Sequence, residues 1–92
     1  SIFKELQLRF QKIDNRYRVT KRYVKIKFNN FQQTTLEETL PPSEPWARFE
    51  NYKVLIEAAW QRKAKPVRLL GMGVRLKEIS GQEPGAQLEL FQ

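Results

Sequence analysis

The spacing of apolar residues changes along this 92-residue chain, and that change constrains the fold more than any other feature. Over residues 1–14, apolar side chains recur every three or four positions, which predicts an amphipathic helix. Over residues 24–28 they alternate with polar side chains, which predicts a half-buried strand. Residues 32–40 are rich in threonine and predict a second strand. The short polar connection at residues 29–30 then favours an antiparallel hairpin.

A second helix is predicted over residues 46–63, after a segment that three prolines keep irregular. Its apolar stripe is predicted to pack into the core and consists of Phe49, Tyr52, Leu55, Ile56, Ala59 and Trp60. An apolar and basic strand over residues 67–79 follows. Because each helix has a single apolar stripe, both helices should cover one face of the sheet and leave the other open to solvent.

Positive charge is concentrated in two blocks that this arrangement brings to the open face. The chain carries 17 Lys and Arg against 10 Asp and Glu, with net charges of +7 over residues 1–27 and +6 over residues 62–77. Strand alternation predicts four open-face cations, Lys25, Lys27, Arg75 and Lys77. Such a surface is typical of a phosphate binder, and equally of an ordinary solvated strand. Gly71 and Gly73 share this parity and would let a backbone amide approach a phosphate, beside the hydroxyls of Thr34 and Thr35.

Several classes of chemistry are excluded by composition. The chain has no cysteine and no histidine, so disulfides, thiolate or imidazole metal sites and histidine-based catalysis are ruled out. Glu37 and Glu38 are adjacent carboxylates, but on a strand they point to opposite faces and cannot share a metal. We therefore predict no catalytic residue, no metal ligand and no cofactor within this chain. The longest apolar run is far too short to span a membrane, and we expect a cytoplasmic protein.

The C-terminal residues form a separate predicted unit. Two glycines and a proline within residues 80–86 predict a flexible linker between a domain over residues 1–79 and a tail over residues 87–92. The tail presents Leu90 and Phe91 behind the amide of Gln87. Exposed apolar anchors at this position favour a partner-binding tail. The alternative is an edge strand, or a tail packed on its own domain.

Two phrases in the sequence resemble the little-finger domain of bacterial Y-family DNA polymerases. They are Lys-Phe-x-x-Phe-Gln-Gln-Thr-Thr over residues 27–35 and Val-Arg-Leu-Leu-Gly over residues 67–71. The resemblance implies an α+β fold of β-α-β-β-α-β order, with two helices on one face and the sheet lying against duplex DNA. This chain begins within the first helix, so the sheet is expected to lack its first strand. The matching DNA-binding positions are Lys25, Lys27, Thr34, Thr35, Gly73, Arg75 and Lys77.

The tail is similar to the motif by which such polymerases bind the bacterial sliding clamp. The resemblance implies clamp contacts from Gln87, Leu88, Leu90 and Phe91. It places the catalytic carboxylates and magnesium of the parent polymerase in a palm domain outside this chain. The implied function is a non-catalytic module of a translesion polymerase that grips primer–template DNA and docks on the clamp. A protein–protein adaptor and a small basic RNA-binding protein remain as alternatives.

Overall fold

The computed structural model describes residues 1–12, 17–41, 44–79 and 86–91. These residues form two helices and four strands: α1 (Ile2–Gln11), β1 (Tyr17–Phe28), β2 (Gln33–Thr39), α2 (Phe49–Gln61), β3 (Val67–Glu78) and β4 (Ala86–Phe91). The strands form one sheet in the order β2-β1-β3-β4, and every neighbouring pair is antiparallel. The predicted α+β class and the β1–β2 hairpin are confirmed.

Both helices pack on the same face of the sheet, as the two apolar stripes predict. Alternate residues of β1 point to that face, and Val24 lies opposite Met72 of β3. Together with both helices they form one buried cluster of Ile2, Leu6, Val24, Ile26, Phe28, Tyr52, Leu55, Ala59, Met72 and Leu90. Edge-to-face contacts from the Phe3 ring to the rings of Phe49 and Tyr52 join the two helices. The core therefore fills the space between the helices and one sheet face.

The end of α2 differs from the prediction. Tyr52, Leu55 and Ala59 are buried, but Trp60 is 41% exposed. Its indole Nε1 donates a hydrogen bond of 2.9 Å to the carbonyl of Lys65. Trp60 thus braces the connection from α2 to β3, and the expectation that it packs in the core was wrong.

A buried arginine that the sequence did not reveal ties β1 to the irregular segment before α2. Arg22 lies on the helix face and is fully buried. Its Nε donates to Glu38 Oε2 at 2.8 Å, and its Nη2 lies 3.5 Å from Glu44 Oε1. The carbonyl of Trp46 accepts from its Nη1 at 3.4 Å. The charge is therefore compensated inside the fold and does not contribute to the open face.

The fourth strand comes from the C-terminal segment. In β4, Leu90 pairs with Met72 and Leu88 with Val74, so both leucines face the helices. Leu90 is only 7% exposed. The edge of the sheet beside β3 is therefore occupied by residues predicted to be a free tail. Of the linker predicted over residues 80–86, residues 80–85 lie outside the described part of the chain, and Ala86 already begins β4.

Candidate nucleic-acid interface

The sheet face opposite the helices, here called the open face, gathers the predicted cations. The register places Lys25 opposite Gly71, Lys27 opposite Leu69, and Arg75 opposite Lys21. A register shift in β1 between Val19 and Lys21 marks a bulge, which explains why Val19 breaks the alternation. Beyond the bulge, Lys77 pairs with Arg18. All four predicted cations therefore lie on one surface, as alternation indicates.

Gly73 does not offer its backbone to a phosphate. A Cβ built on Gly73 would lie 2.4 Å from Cζ of Tyr23, and one on Gly71 would lie 2.8 Å from Cε1 of Phe91. Each glycine thus leaves room for an aromatic ring that packs over it on the open face, Tyr23 over Gly73 and Phe91 over Gly71. Tyr23 is only 1% exposed. The predicted role of Gly73 needs correction, because the ring already occupies the space that a phosphate would enter.

A small polar cluster covers Tyr23. Its hydroxyl donates a hydrogen bond to Glu89 Oε2, while Lys25 Nζ lies 3.4 Å from Glu89 Oε1. The Arg75 guanidinium stacks over the Tyr23 ring at 5.0 Å. Burial raises the pKa of Tyr23 well above its usual value, and the hydrogen bond to Glu89 raises it further. The phenol therefore stays a proton donor, and it holds β4 against the centre of the sheet.

Two carboxylates that sequence reasoning missed reduce the positive charge of the open face. Glu37 on β2 accepts from Arg75 Nε at 3.0 Å and lies 3.6 Å from Lys21 Nζ. Glu89 on β4 pairs with Lys25. The sequence could have placed Glu37 on the open face, because it lies two residues from Thr35 on the same strand. It could not have placed Glu89 there without the knowledge that β4 joins the sheet.

Two open-face cations keep their charge available. Within the described ranges, neither Lys27 nor Lys77 makes an ion pair. Lys27 Nζ lies 5.9 Å from the centroid of the Phe91 ring. Lys77 is exposed near the far end of β3. Of the four predicted cations, Lys27 and Lys77 are therefore the most available for a phosphate contact.

The two threonines lie on opposite faces. Thr35 pairs with Lys25 and is exposed on the open face. Thr34 pairs with Ile26 on the helix face and is 9% exposed. Its hydroxyl accepts a hydrogen bond of 2.9 Å from Arg62 Nη1. The structure therefore separates Thr34 from the other predicted DNA-binding residues, since neighbouring residues of a strand cannot share a face.

The four predicted clamp contacts are likewise divided between the two faces. Gln87 and Phe91 lie on the open face and are exposed, and Gln87 Oε1 accepts from Arg75 Nη1 at 3.0 Å. Leu88 and Leu90 pack against the helices. The predicted clamp contacts of Leu88 and Leu90 are therefore not available while β4 is paired with β3.

Other kinds of site find no support in the described residues. Across residues 1–12, 17–41, 44–79 and 86–91, no group of three acidic side chains is arranged to hold a metal ion. Neither of the described helices combines the length and apolarity that crossing a bilayer requires.

Comparison with known proteins finds relatives that match nearly the whole chain. The chain is 42% identical over 91 residues to DNA polymerase IV of Ectopseudomonas mendocina, which covers 99% of this chain. It is 44% identical over 86 residues to DNA polymerase IV of Pseudomonas putida strain GB-1, and 40% identical over 91 residues to that of Protochlamydia amoebophila. The chain is homologous to part of DNA polymerase IV. The resemblance drawn from the sequence is thereby confirmed.

The homology covers only part of each relative. The chain spans 24% of the length of the Ectopseudomonas and Protochlamydia DNA polymerase IV and 23% of that of the Pseudomonas protein. No family model matches the chain, and no solved structure matches it.

Proposed function

We propose that this chain is the DNA-gripping module of a translesion DNA polymerase. The observation that carries the proposal is the 40–44% identity to DNA polymerase IV over nearly the whole chain. The polymerase that carries this module acts in the cytoplasm. Its catalytic carboxylates and magnesium belong to a palm domain, and this chain supplies the grip on primer–template DNA.

The open face supports a grip on duplex phosphates without sequence preference. Lys27 pairs with Leu69 of β3, and Lys77 lies eight residues further along that strand. The two lysines are therefore about 26 Å apart along the strand direction. A duplex lying along the strands presents phosphates over that distance. Lysine ammonium groups contact phosphate as point charges and carry no base information. Lys25 and Arg75 add to the grip when phosphates displace Glu89 and Glu37 from them.

Clamp docking is proposed for a state in which β4 has left the sheet. The side chains of Leu88 and Leu90 cannot fill the core and a pocket of the clamp at once. Docking therefore competes with the pairing of β4 to β3, and the measured affinity is reduced by the fraction of molecules in which β4 is detached. Detachment also removes Glu89 from Lys25, which adds one cation to the open face.

The DNA grip is tested by removing together Lys27 and Lys77, the two predicted open-face cations that make no ion pair within the described ranges. We expect Lys27→Ala with Lys77→Ala to weaken binding to a blunt duplex. The slope of log K against log salt should become shallower by about 2, since each lost phosphate contact changes it by about 1. The measurement is fluorescence anisotropy at several salt concentrations, with two unrelated duplex sequences.

Lys53→Ala is the matched control, because Lys53 is an exposed lysine of α2 in the helix layer. An equal slope for the double variant and the control would contradict the proposed grip. Tighter binding to folded RNA than to duplex DNA would favour a basic RNA-binding protein. Binding of neither, together with clamp binding, would favour a pure adaptor.

A further inference from the structure

One end of the sheet collects positive charge that has no acidic partner among the described residues. There the β1–β2 connection meets the loop from α2 to β3, because Asn29 N donates 3.0 Å to the carbonyl of Pro66. Phe28 is paired with Val67 at the same place. The segments that meet, residues 27–36 and 58–77, contain no aspartate or glutamate. Five cations lie on the parts of these segments near the junction, and we call them the basic end: Lys27, Arg62, Lys63, Lys65 and Arg68.

The charges of the basic end are uncompensated. In the part of the chain that the structure describes, none of the five cations forms an ion pair. Arg62 donates from Nη1 to Thr34 Oγ1 at 2.9 Å and to the Thr35 carbonyl at 3.1 Å, which are neutral acceptors. By contrast, Lys25 and Arg75 at the centre of the open face both contact carboxylates. The basic end is therefore the more favourable place for a phosphate anion.

An exposed aromatic ring lies at the same end of the sheet, on the connection between β1 and β2. Phe31 is 80% exposed, the most exposed large apolar side chain among the described residues. The guanidinium carbon of Arg68 lies 5.3 Å from the centroid of its ring. Arg68 thus supports the ring from one side and leaves the rest of it in water. At this exposure the ring contributes little burial energy to the fold.

The turn that carries Phe31 does not call for a phenylalanine. Its φ of 68° lies in the left-handed region, where glycine or asparagine is favoured. The turn is closed by other groups: Phe28 N donates to the Gln32 carbonyl at 2.8 Å, and Gln32 N donates to Asn30 Oδ1 at 3.2 Å. Neither burial nor turn geometry therefore accounts for the ring. Its position is suited to a flat apolar ligand that carries negative charge.

We infer that the basic end binds an unpaired nucleotide of single-stranded DNA, with the base stacked on Phe31 and the backbone phosphates on the surrounding cations. Aromatic side chains interleaved with cations are how proteins hold single strands without sequence preference. The ligand is single-stranded because the face of a base is free to stack on protein only when the base is not stacked in a duplex. This inference rests on the proposed function and extends it, since the open face holds duplex phosphates and the basic end holds the strand beyond the duplex.

The experiment compares two DNA probes and two substitutions at one position. One probe is a blunt duplex, and the other is the same duplex with a 5′ single-stranded extension that contains 2-aminopurine, whose fluorescence is quenched by stacking. Phe31→Asn removes the ring and suits the left-handed turn. Phe31→Tyr keeps a ring of the same shape. Leu8→Ala on α1 is the control for loss of an exposed apolar side chain elsewhere.

We expect Phe31→Asn to bind the extended probe about tenfold more weakly and to lose the quenching, in line with the usual contribution of one stacked base. Its affinity for the blunt duplex should match that of the parent. Phe31→Tyr and Leu8→Ala should behave like the parent on both probes.

Three results would overturn the inference. Equal affinity of the parent and Phe31→Asn for the extended probe would show that the ring contacts no base. Equal losses on both probes would assign Phe31 to the fold or to duplex binding. Tighter binding of an RNA extension of the same sequence would overturn the assignment to DNA. The proposed function fails separately, if the parent binds neither probe, and the inference then fails with it.

Discussion

At the residue scale, glycine is required at position 73 because the Tyr23 side chain of the neighbouring strand packs over its backbone. The Tyr23 ring lies where a Cβ on Gly73 would be, and its hydroxyl reaches Glu89 on the next strand but one. The open face therefore has an aromatic layer between the backbone and solvent. In the proposed grip, a phosphate on this surface would be held by lysine side chains that extend past the ring, and not by backbone amides beneath it.

The pairing of Gly73 with the ring is tested by substituting both residues. Gly73→Ala should lower the free energy of unfolding by about 2 kcal/mol, because the new methyl group collides with a packed ring. In a Tyr23→Ala background the same change should raise it by about 0.5 kcal/mol, since alanine is otherwise favoured over glycine inside a strand. Urea unfolding of the four proteins gives both values. Equal destabilisation in the two backgrounds would contradict this role of the glycine.

At the element scale, the sequence predicted what depends on local periodicity. Both helices, the hairpin and β3 follow from the spacing of apolar residues, and alternation placed Lys25, Lys27, Arg75 and Lys77 on one face correctly. Alternation also separates Thr34 from Thr35, so that error was avoidable from the sequence. The role of β4 was not accessible in this way. A six-residue segment such as β4 has the same local sequence pattern whether it is free or paired, and only the unfilled edge of β3 decides between them.

Attachment of β4 to the sheet can be weakened without altering its own sequence. Tyr23→Phe removes the hydrogen bond to the Glu89 carboxylate, which at about 1.5 kcal/mol should increase the detached fraction of β4 about tenfold. If the clamp binds only detached β4, clamp affinity should rise by up to the same factor. Tyr52→Phe is the matched control, because its hydroxyl donates to the Gly73 carbonyl and not to β4. Surface plasmon resonance on immobilised clamp compares the three proteins, and unchanged affinity of Tyr23→Phe would argue against competition between sheet and clamp.

At the scale of the whole molecule, the distribution of charge makes the open face and the basic end differ in how strongly they attract an anion. The net charge is +7, yet the centre of the open face contains the carboxylates of Glu37 and Glu89. Over the ranges that the structure describes, the cations of the basic end have no carboxylate partner. Duplex phosphates on the open face must compete with existing ion pairs, whereas an anion at the basic end meets unpaired cations. Binding at the basic end should therefore depend less on the state of β4 than binding at the centre of the sheet.

The two buried tyrosines set the alkaline limit of the fold. Burial raises the pKa of Tyr23 and of Tyr52 above the ordinary value of 10.0. The folded protein therefore keeps both protons at a pH where the unfolded chain releases them. Their contribution to stability is complete below pH 10 and is lost as pH rises toward the raised folded values. Each tyrosine should lower the free energy of unfolding by about 1.4 kcal/mol per pH unit in that range.

Urea unfolding at pH 8, 9, 10 and 11 measures the slope of the free energy of unfolding against pH. Tyr23→Phe and Tyr52→Phe should each remove the contribution of one tyrosine to this slope. The double variant, although less stable at pH 8, should show neither tyrosine's contribution to the slope. A slope equal to that of the parent would mean that these two tyrosines do not cause the loss of stability at alkaline pH.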